Sequence, residues 1–133
     1  MSEPEISEAG PEVRARILVI DDEESILEAL SQVLKHGGFE YETTSNGWSA
    51  LGLVESFKPD LIILDIVMPD IDGFTILEQI KNREESRDIP VILLSALDED
   101  KKIWEGYNLG ASYYITKPFT TDELLSGIHL ILE

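Results

Sequence analysis

Three continuous apolar runs, RILVI at Arg16–Ile20, DLIIL at 60–64 and IPVILL at 89–94, each break off at a polar residue, and amphipathic stretches fill the gaps between them. Runs this short and this rich in Ile, Val and Leu read as strands buried on both faces of a sheet. Two more polar strands are expected at 39–44 and 112–115. The intervening segments have helical spacing: Ile26, Leu27, Ala29, Leu30, Val33 and Leu34 within 23–36, Ala50, Leu51, Val54 and Phe57 within 48–57, and Ile76, Leu77 and Ile80 within 74–82. Gly37-Gly38 and Pro59 mark helix ends, as does Gly110 after a helix expected at 98–108. Thr120 with Glu123 has the spacing of a capping box opening a last helix. Five strand–helix repeats call for right-handed crossovers, which predicts an α/β fold, a five-stranded parallel sheet with helices on both faces. Ligands of such a sheet sit beyond the carboxyl ends of the strands, near the switch in strand order.

At 133 residues the chain has room for one domain. Its first residues mix Glu, Ser, Pro and Gly with no helical or strand period, so 1–14 is expected as a flexible acidic leader and 15–133 as the folded unit. Ten Lys and Arg against 27 Asp and Glu give a formal charge of -17, which repels nucleic-acid phosphates and anionic lipid, so direct nucleic-acid binding is not expected. With no cysteine, disulfides, thiolate metal sites and thiol catalysis are excluded. No apolar run approaches the ~20 residues that span a bilayer, and the N-terminus lacks the basic-then-apolar order of a signal peptide. The expected compartment is the cytoplasm, without membrane contact.

The strand ends carry the chemistry. Asp21 and Asp22 follow the first strand, Asp65 the third, Ser95 the fourth and Lys117 the fifth. A lone Asp or Ser at such a position is more often a cap or turn residue. Five polar residues converging on one sheet edge are not explained that way. Three crowded carboxylates repel by about 4 kcal/mol per close pair at intermediate dielectric, which calls for cations. Lys117 supplies one positive charge, and a hard divalent ion such as Mg²⁺, which prefers oxygen ligands and keeps several waters, brings the local formal sum to zero. With charge balanced, the Asp65 carboxylate can attack phosphorus as a nucleophile and form an acyl phosphate without a general base. Lys117 and the metal then stabilise the transferring oxygens, while Ser95 and backbone N–H groups after Asp65 can donate to the equatorial ones.

The acid pair after the first strand, Asp65 with Met68-Pro69 and Asp72-Gly73 behind it, Ser95-Ala96 after the fourth strand and Lys117-Pro118-Phe119 after the fifth resemble the response-regulator receiver domain of two-component systems. The resemblance covers residues 15–133 and implies the (βα)5 flavodoxin-like receiver fold. It also implies Asp65 as phosphoacceptor, and Asp22, Asp65 and the Val67 carbonyl as direct ligands of Mg²⁺, for which Mn²⁺ can substitute, with Asp21 acting through a metal-bound water. Ser95, Ala96 and Lys117 would hold the phosphoryl group. Tyr114 matches the aromatic that swings inward as the Ser95 hydroxyl moves toward phosphate, a switch between two discrete arrangements. The implied donor is a phosphohistidine on a sensor histidine kinase or a histidine phosphotransfer protein. The chain would catalyse its own phosphorylation and dephosphorylation rather than turn over a separate substrate.

The kinase is expected beside the first helix. There Ile26, Ala29 and Val33 widen the apolar arc beyond Leu27, Leu30 and Leu34, leaving some exposed unless all six are core. The implied output face, formed by the fourth helix, fifth strand and fifth helix, takes in Ile103, Tyr107 and Tyr114, and would act on a downstream protein or on an effector domain missing from this chain. Adjacent Ile103 and Trp104 point about 100° apart, so at most one faces the core. Asp70 and Asp72 are expected to cap the third helix or to be solvated, and His36 and His129 to be non-catalytic.

Three rivals are weaker. A hydrolase of the haloacid dehalogenase kind places an acid two residues after its nucleophile, where this chain has Val67, and its acid pair comes last. A dinucleotide site would need G-x-G-x-x-G after the first strand. A receiver that only binds partners would not need the complete set of Asp21, Asp22, Asp65, Ser95 and Lys117. Val67 neither supplies nor orients a hydrolytic water, so slow to moderate loss of phosphate is expected.

Overall fold

The computed structural model describes residues 15–96 and 100–133. Strands and helices alternate as β1 Arg16–Ile20, α1 Glu24–His36, β2 Glu40–Thr44, α2 Gly47–Phe57, β3 Leu61–Asp65, α3 Gly73–Asn82, β4 Val91–Ser95, α4 Asp100–Asn108, β5 Tyr113–Thr116 and α5 Thr121–Leu132. Every strand pair is parallel, and the order is β2-β1-β3-β4-β5. The chain steps outward from β1 to β2, then returns past β1 to β3, so the direction of winding switches between β1 and β3. That is the flavodoxin-like arrangement, with a crevice beyond the strand ends at the switch.

Alternate residues of the inner strands feed two cores. Leu18, Ile20, Ile62, Leu64, Val91 and Leu93 pack with α2 and α3 on one face. Ile17, Val19, Leu61, Ile63, Ile92 and Leu94 pack with α1 and α5 on the other. Each such side chain contributes about 1.5–3 kcal/mol through burial, which fixes the strand register against the helices. β2 lies at a sheet edge with no fully buried residue, which explains its polar EYETT sequence.

The element ends differ from expectation by a residue or two, for local reasons. β4 starts at Val91, not residue 89: Pro90 has no N–H to give a ladder, although its carbonyl accepts from Ile62 N at 3.0 Å. α2 closes on Lys58, which takes the left-handed region at φ 54, rather than through Pro59 itself. α1 closes on Gly37, with Gly38 at φ 82, and the Thr120–Glu123 capping box is present in both directions. The leader at 1–14 and the expected start of the fourth helix at Asp98 lie outside the described residues. No described helix is long and apolar enough to cross a membrane.

Candidate functional site

Pairing of Ile20 with Leu64 brings the ends of β1 and β3 level, so Asp21 and Asp65 leave the sheet side by side at the switch point. One oxygen each of Asp21, Asp22 and Asp65 lies within 4.8 Å of the others. Asp21 and Asp65 are buried and Asp22 half-buried. At the end of β5, Lys117 N donates to Ser95 O at 2.8 Å, and the Lys117–Pro118 peptide bond is cis. From there the ammonium reaches across the strand ends to 3.0 Å from Asp21 Oδ2 and 3.7 Å from Asp65 Oδ2. Ser95 is buried at the end of β4 and lines the same hollow above Asp65 as Asp22, Val67, Ala96 and Lys117.

The shortest contact of that ammonium is with a residue that sequence reasoning missed. Lys117 Nζ donates to Glu23 Oε1 at 2.7 Å. A signal was available, because Glu23 directly follows the acid pair and so must stand on the same sheet edge. With Glu23 included, four carboxylates face one ammonium, and a divalent ion leaves one formal negative charge where neutrality was expected.

Burial dominates the electrostatics. It pushes the Asp65 carboxyl up, the charge of Asp21 adds to this, and Lys117 only partly opposes it, so the pKa rises to about 7. Burial likewise raises Asp21, against the Glu23 N–H and Lys117. Burial pulls Lys117 down, but its hydrogen bond to Glu23 and the nearby charges of Asp21 and Asp65 outweigh that, and its pKa stands above the ordinary lysine value. Asp21 Oδ1 accepts from Glu23 N at 2.9 Å. Asp21 Oδ2 is sealed from solvent and accepts no hydrogen bond, its 3.0 Å approach to Lys117 being an ion pair without hydrogen-bond alignment. An orphaned carboxylate oxygen inside a cluster of three acids is what a divalent cation would satisfy, so the residues present fit Mg²⁺.

The loop between β3 and α3 is tightly built. Gly73 N donates to Ile66 O at 2.8 Å. A Cβ on Gly73 would lie 2.3 Å from Asp65 O and 2.6 Å from Ile66 Cα, so only glycine permits this approach. Asp72 caps α3 through Phe74 N at 3.0 Å, as expected. Asp70 neither caps α3 nor is simply solvated: its Oδ2 accepts from Gly47 N at 2.8 Å, tying the loop to the start of α2. Val67 N donates to Asp65 Oδ1 at 3.3 Å.

The outlying residues sort less evenly. In α1, Leu27, Leu30 and Leu34 are core, Ile26 and Val33 are half-buried against it, and Ala29 alone of the expected docking stripe is exposed. Ile103 is half-buried while Trp104 is 68% exposed, so of this pair Ile103 faces inward. Tyr107 hydrogen-bonds the backbone of Tyr114, joining α4 to β5, and Tyr114 is half-buried against the core shared by α2 and α3. His36 ends α1, and the His129 ring sits 6.0 Å from that of Phe39, both away from the carboxylates.

Comparison with known proteins agrees with this geometry. A model of the response regulator receiver domain matches residues 17–129. The DNA-binding dual master transcriptional regulator RpaA of Synechocystis sp. is 36% identical over 117 residues, covering 88% of this chain and 48% of that protein. The alkaline phosphatase synthesis transcriptional regulatory protein PhoP of Bacillus subtilis is 40% identical over 117 residues, with the same shares of 88% and 48%. The chain therefore spans about half the length of the curated relatives it matches. The chemotaxis protein CheY4 of Vibrio cholerae has a TM-score of 0.86 and 30% identity over 90% of this chain and 100% of that one. Sheet order, the acids at its switch point and these matches agree, and the chain belongs to the response regulator receiver domain family of two-component systems.

Proposed function

We propose that Asp65 is the phosphoacceptor of a two-component phosphorelay and that its phosphorylation switches the face formed by α4, β5 and α5. One observation carries this reading: a buried carboxylate at the switch point stands 3.7 Å from an ammonium, beside two further acids. The receiver unit is 15–133, acting in the cytoplasm. Its donor is a sensor histidine kinase or histidine phosphotransfer protein docking at Ile26, Ala29 and Val33.

In the transfer, an ionised Asp65 oxygen bonds to phosphorus as the bond from phosphorus to the donor nitrogen breaks; the imidazole keeps that electron pair and, protonated, leaves neutral. Asp21, Asp22, Asp65 and the Val67 carbonyl would hold Mg²⁺ or Mn²⁺, which when bound offsets charge on the equatorial oxygens. The Lys117 ammonium, the Ser95 hydroxyl and the Ala96 N–H would take the remaining oxygen contacts. Ser95 pairs with Thr116 and Leu93 with Tyr114 across the same two strands. A shift of Ser95 toward phosphate therefore bears on Tyr114, and through it on Tyr107 and Ile103. With its strongly negative charge the chain does not itself grip nucleic acid, and the output passes to a downstream protein or to an effector domain.

Intact mass after incubation with Mg²⁺ and acetyl phosphate tests the reading. The chain should gain one phosphoryl group, and Asp65→Asn, or added chelator, should abolish the gain. No gain with metal binding established would make this a partner-binding receiver and Asp65 a structural residue.

A further inference from the structure

Glu23 occupies the N-cap position of α1, yet its side chain makes no capping hydrogen bond. Ser, Thr, Asp and Asn are the residues that stabilise a helix from that position, and glutamate is not among them. Its carboxylate goes instead to Lys117, 94 residues away in sequence, at 2.7 Å. The ammonium is drawn to the side of the cluster away from the proposed nucleophile, between Glu23 and Asp21 at 2.7 and 3.0 Å, and stands 3.7 Å from Asp65. The Lys117 side chain is 12% exposed and that of Glu23 55% exposed, so Glu23 lies at the mouth of the hollow and Lys117 inside it.

We infer that Glu23 is a positioning residue for Lys117, holding the ammonium on the Asp21 side of the cluster until a phosphoryl group on Asp65 competes for it. This rests on the phosphoacceptor reading of Asp65. Two consequences of the same contact have opposite signs. As a further carboxylate lining the hollow beside the three-acid cluster, Glu23 strengthens divalent-ion binding through its field. As the partner of Lys117, and as a negative charge at the mouth, it slows attack on an anionic donor by withholding the one cation among the described residues at this site and by repelling the donor. A residue of merely structural importance would move both quantities in the same unfavourable direction when replaced.

The experiment compares the wild-type chain with Glu23→Gln, which removes the charge, and Glu23→Ser, which removes the contact and supplies a competent cap. Three readouts are taken: Mg²⁺ affinity by calorimetry, the initial rate of acetyl phosphate labelling at saturating Mg²⁺, and the Lys117 ammonium resonance in a metal-free ¹H–¹⁵N spectrum. In the labelling step one P–O bond of the donor breaks, one forms at Asp65, and acetate leaves. Both variants should bind Mg²⁺ several-fold more weakly and, once saturated, label several-fold faster. Their Lys117 signal should shift or broaden, and Glu23→Ser should melt no lower than wild type. An unchanged ammonium signal, or a saturated rate equal to or below wild type in both variants, overturns the role of Glu23. Failure of the wild-type chain to label at all sinks the phosphoacceptor reading instead, and the ammonium spectrum still reports on the hold.

Discussion

Lys117 Nζ lies 3.0 Å from Asp21 Oδ2 and 3.7 Å from Asp65 Oδ2, so the cation compensates the deeper carboxylate more than the one facing the hollow. Asp65 is left buried beside a second acid with only part of a positive charge. The site is thus strained electrostatically before any ligand arrives. It is held in place by the two cores beneath it, whose strands set where Asp21 and Asp65 leave the sheet.

In the folded, metal-free protein Asp65 titrates at about 7 against an ordinary value of 3.8, because of burial first and the charge of Asp21 second. The folded state holds this proton more tightly than the unfolded chain. The associated stability is therefore fully present below the unfolded pKa and is lost as pH rises through the folded one. Between about pH 5 and about pH 8 the metal-free protein should lose on the order of 2 kcal/mol from this group. Asp65→Asn should flatten that slope and be the more stable protein at the upper pH. Denaturant unfolding with chelator present checks both, and wild-type stability that rises across the window would contradict the assignment.

Most of the fold was readable because the inner strands are buried on both sides. That burial forces uninterrupted apolar runs, and each run ends where the chain meets the polar crevice, which is how Asp21, Asp22, Asp65 and Ser95 could be picked out, while Lys117 follows the less buried edge strand β5 and is legible from its place after the fifth strand of the repeat. Glu23 was not, since a glutamate beside a helix start looks like ordinary solvated charge, and only the reach of Lys117 across the strand ends gives it a partner. Asp70 was misread for a similar reason. Its role depends on how close the start of α2 comes to the loop after β3, and no local spacing encodes that distance. The α1 stripe was ambiguous because burial of Ile26 and Val33 is partial, a matter of degree that helical periodicity does not resolve.

Gly73→Ala should damage the site more than any cap or surface change. The added methyl meets backbone atoms of Asp65 and Ile66, which cannot swing aside as a flexible side chain would. A loss of about 3 kcal/mol is expected, and where the protein remains folded, phosphoryl uptake should fall further than the folded fraction does. Unfolding curves paired with intact-mass labelling separate the two effects. Normal labelling per folded molecule would show that Asp65 tolerates displacement of its own backbone.

Asp70→Ala should loosen the loop that carries Val67. The loss of the contact to Gly47 N is worth about 1 kcal/mol, since Asp70 is exposed. The larger effect should be on Mg²⁺ affinity, reduced several-fold because the proposed carbonyl ligand is no longer held. Gly47→Ala should act in the same direction, as its Cβ would come within 2.1 Å of Ile71 Cγ2. Calorimetric titration of both variants gives the answer; affinities equal to wild type would confine Asp70 to stabilising α2.

The lifetime of the acyl phosphate should be set by Val67. Its side chain is 58% exposed and lines the hollow above Asp65, where an attacking water must pass. An isopropyl group there can neither accept a proton from that water nor hold it in line with phosphorus, and Ala96 in the same lining offers only a methyl group. Loss of phosphate should accordingly take minutes or longer after donor removal. Val67→Asn or Val67→Gln, each placing an amide on the water's path, should shorten it several-fold without altering the rate of labelling to the same degree. The decay of the phosphorylated mass with time measures this directly, and a wild-type half-life of seconds that Val67 substitutions leave unchanged would mean that water is activated by another group at the cluster.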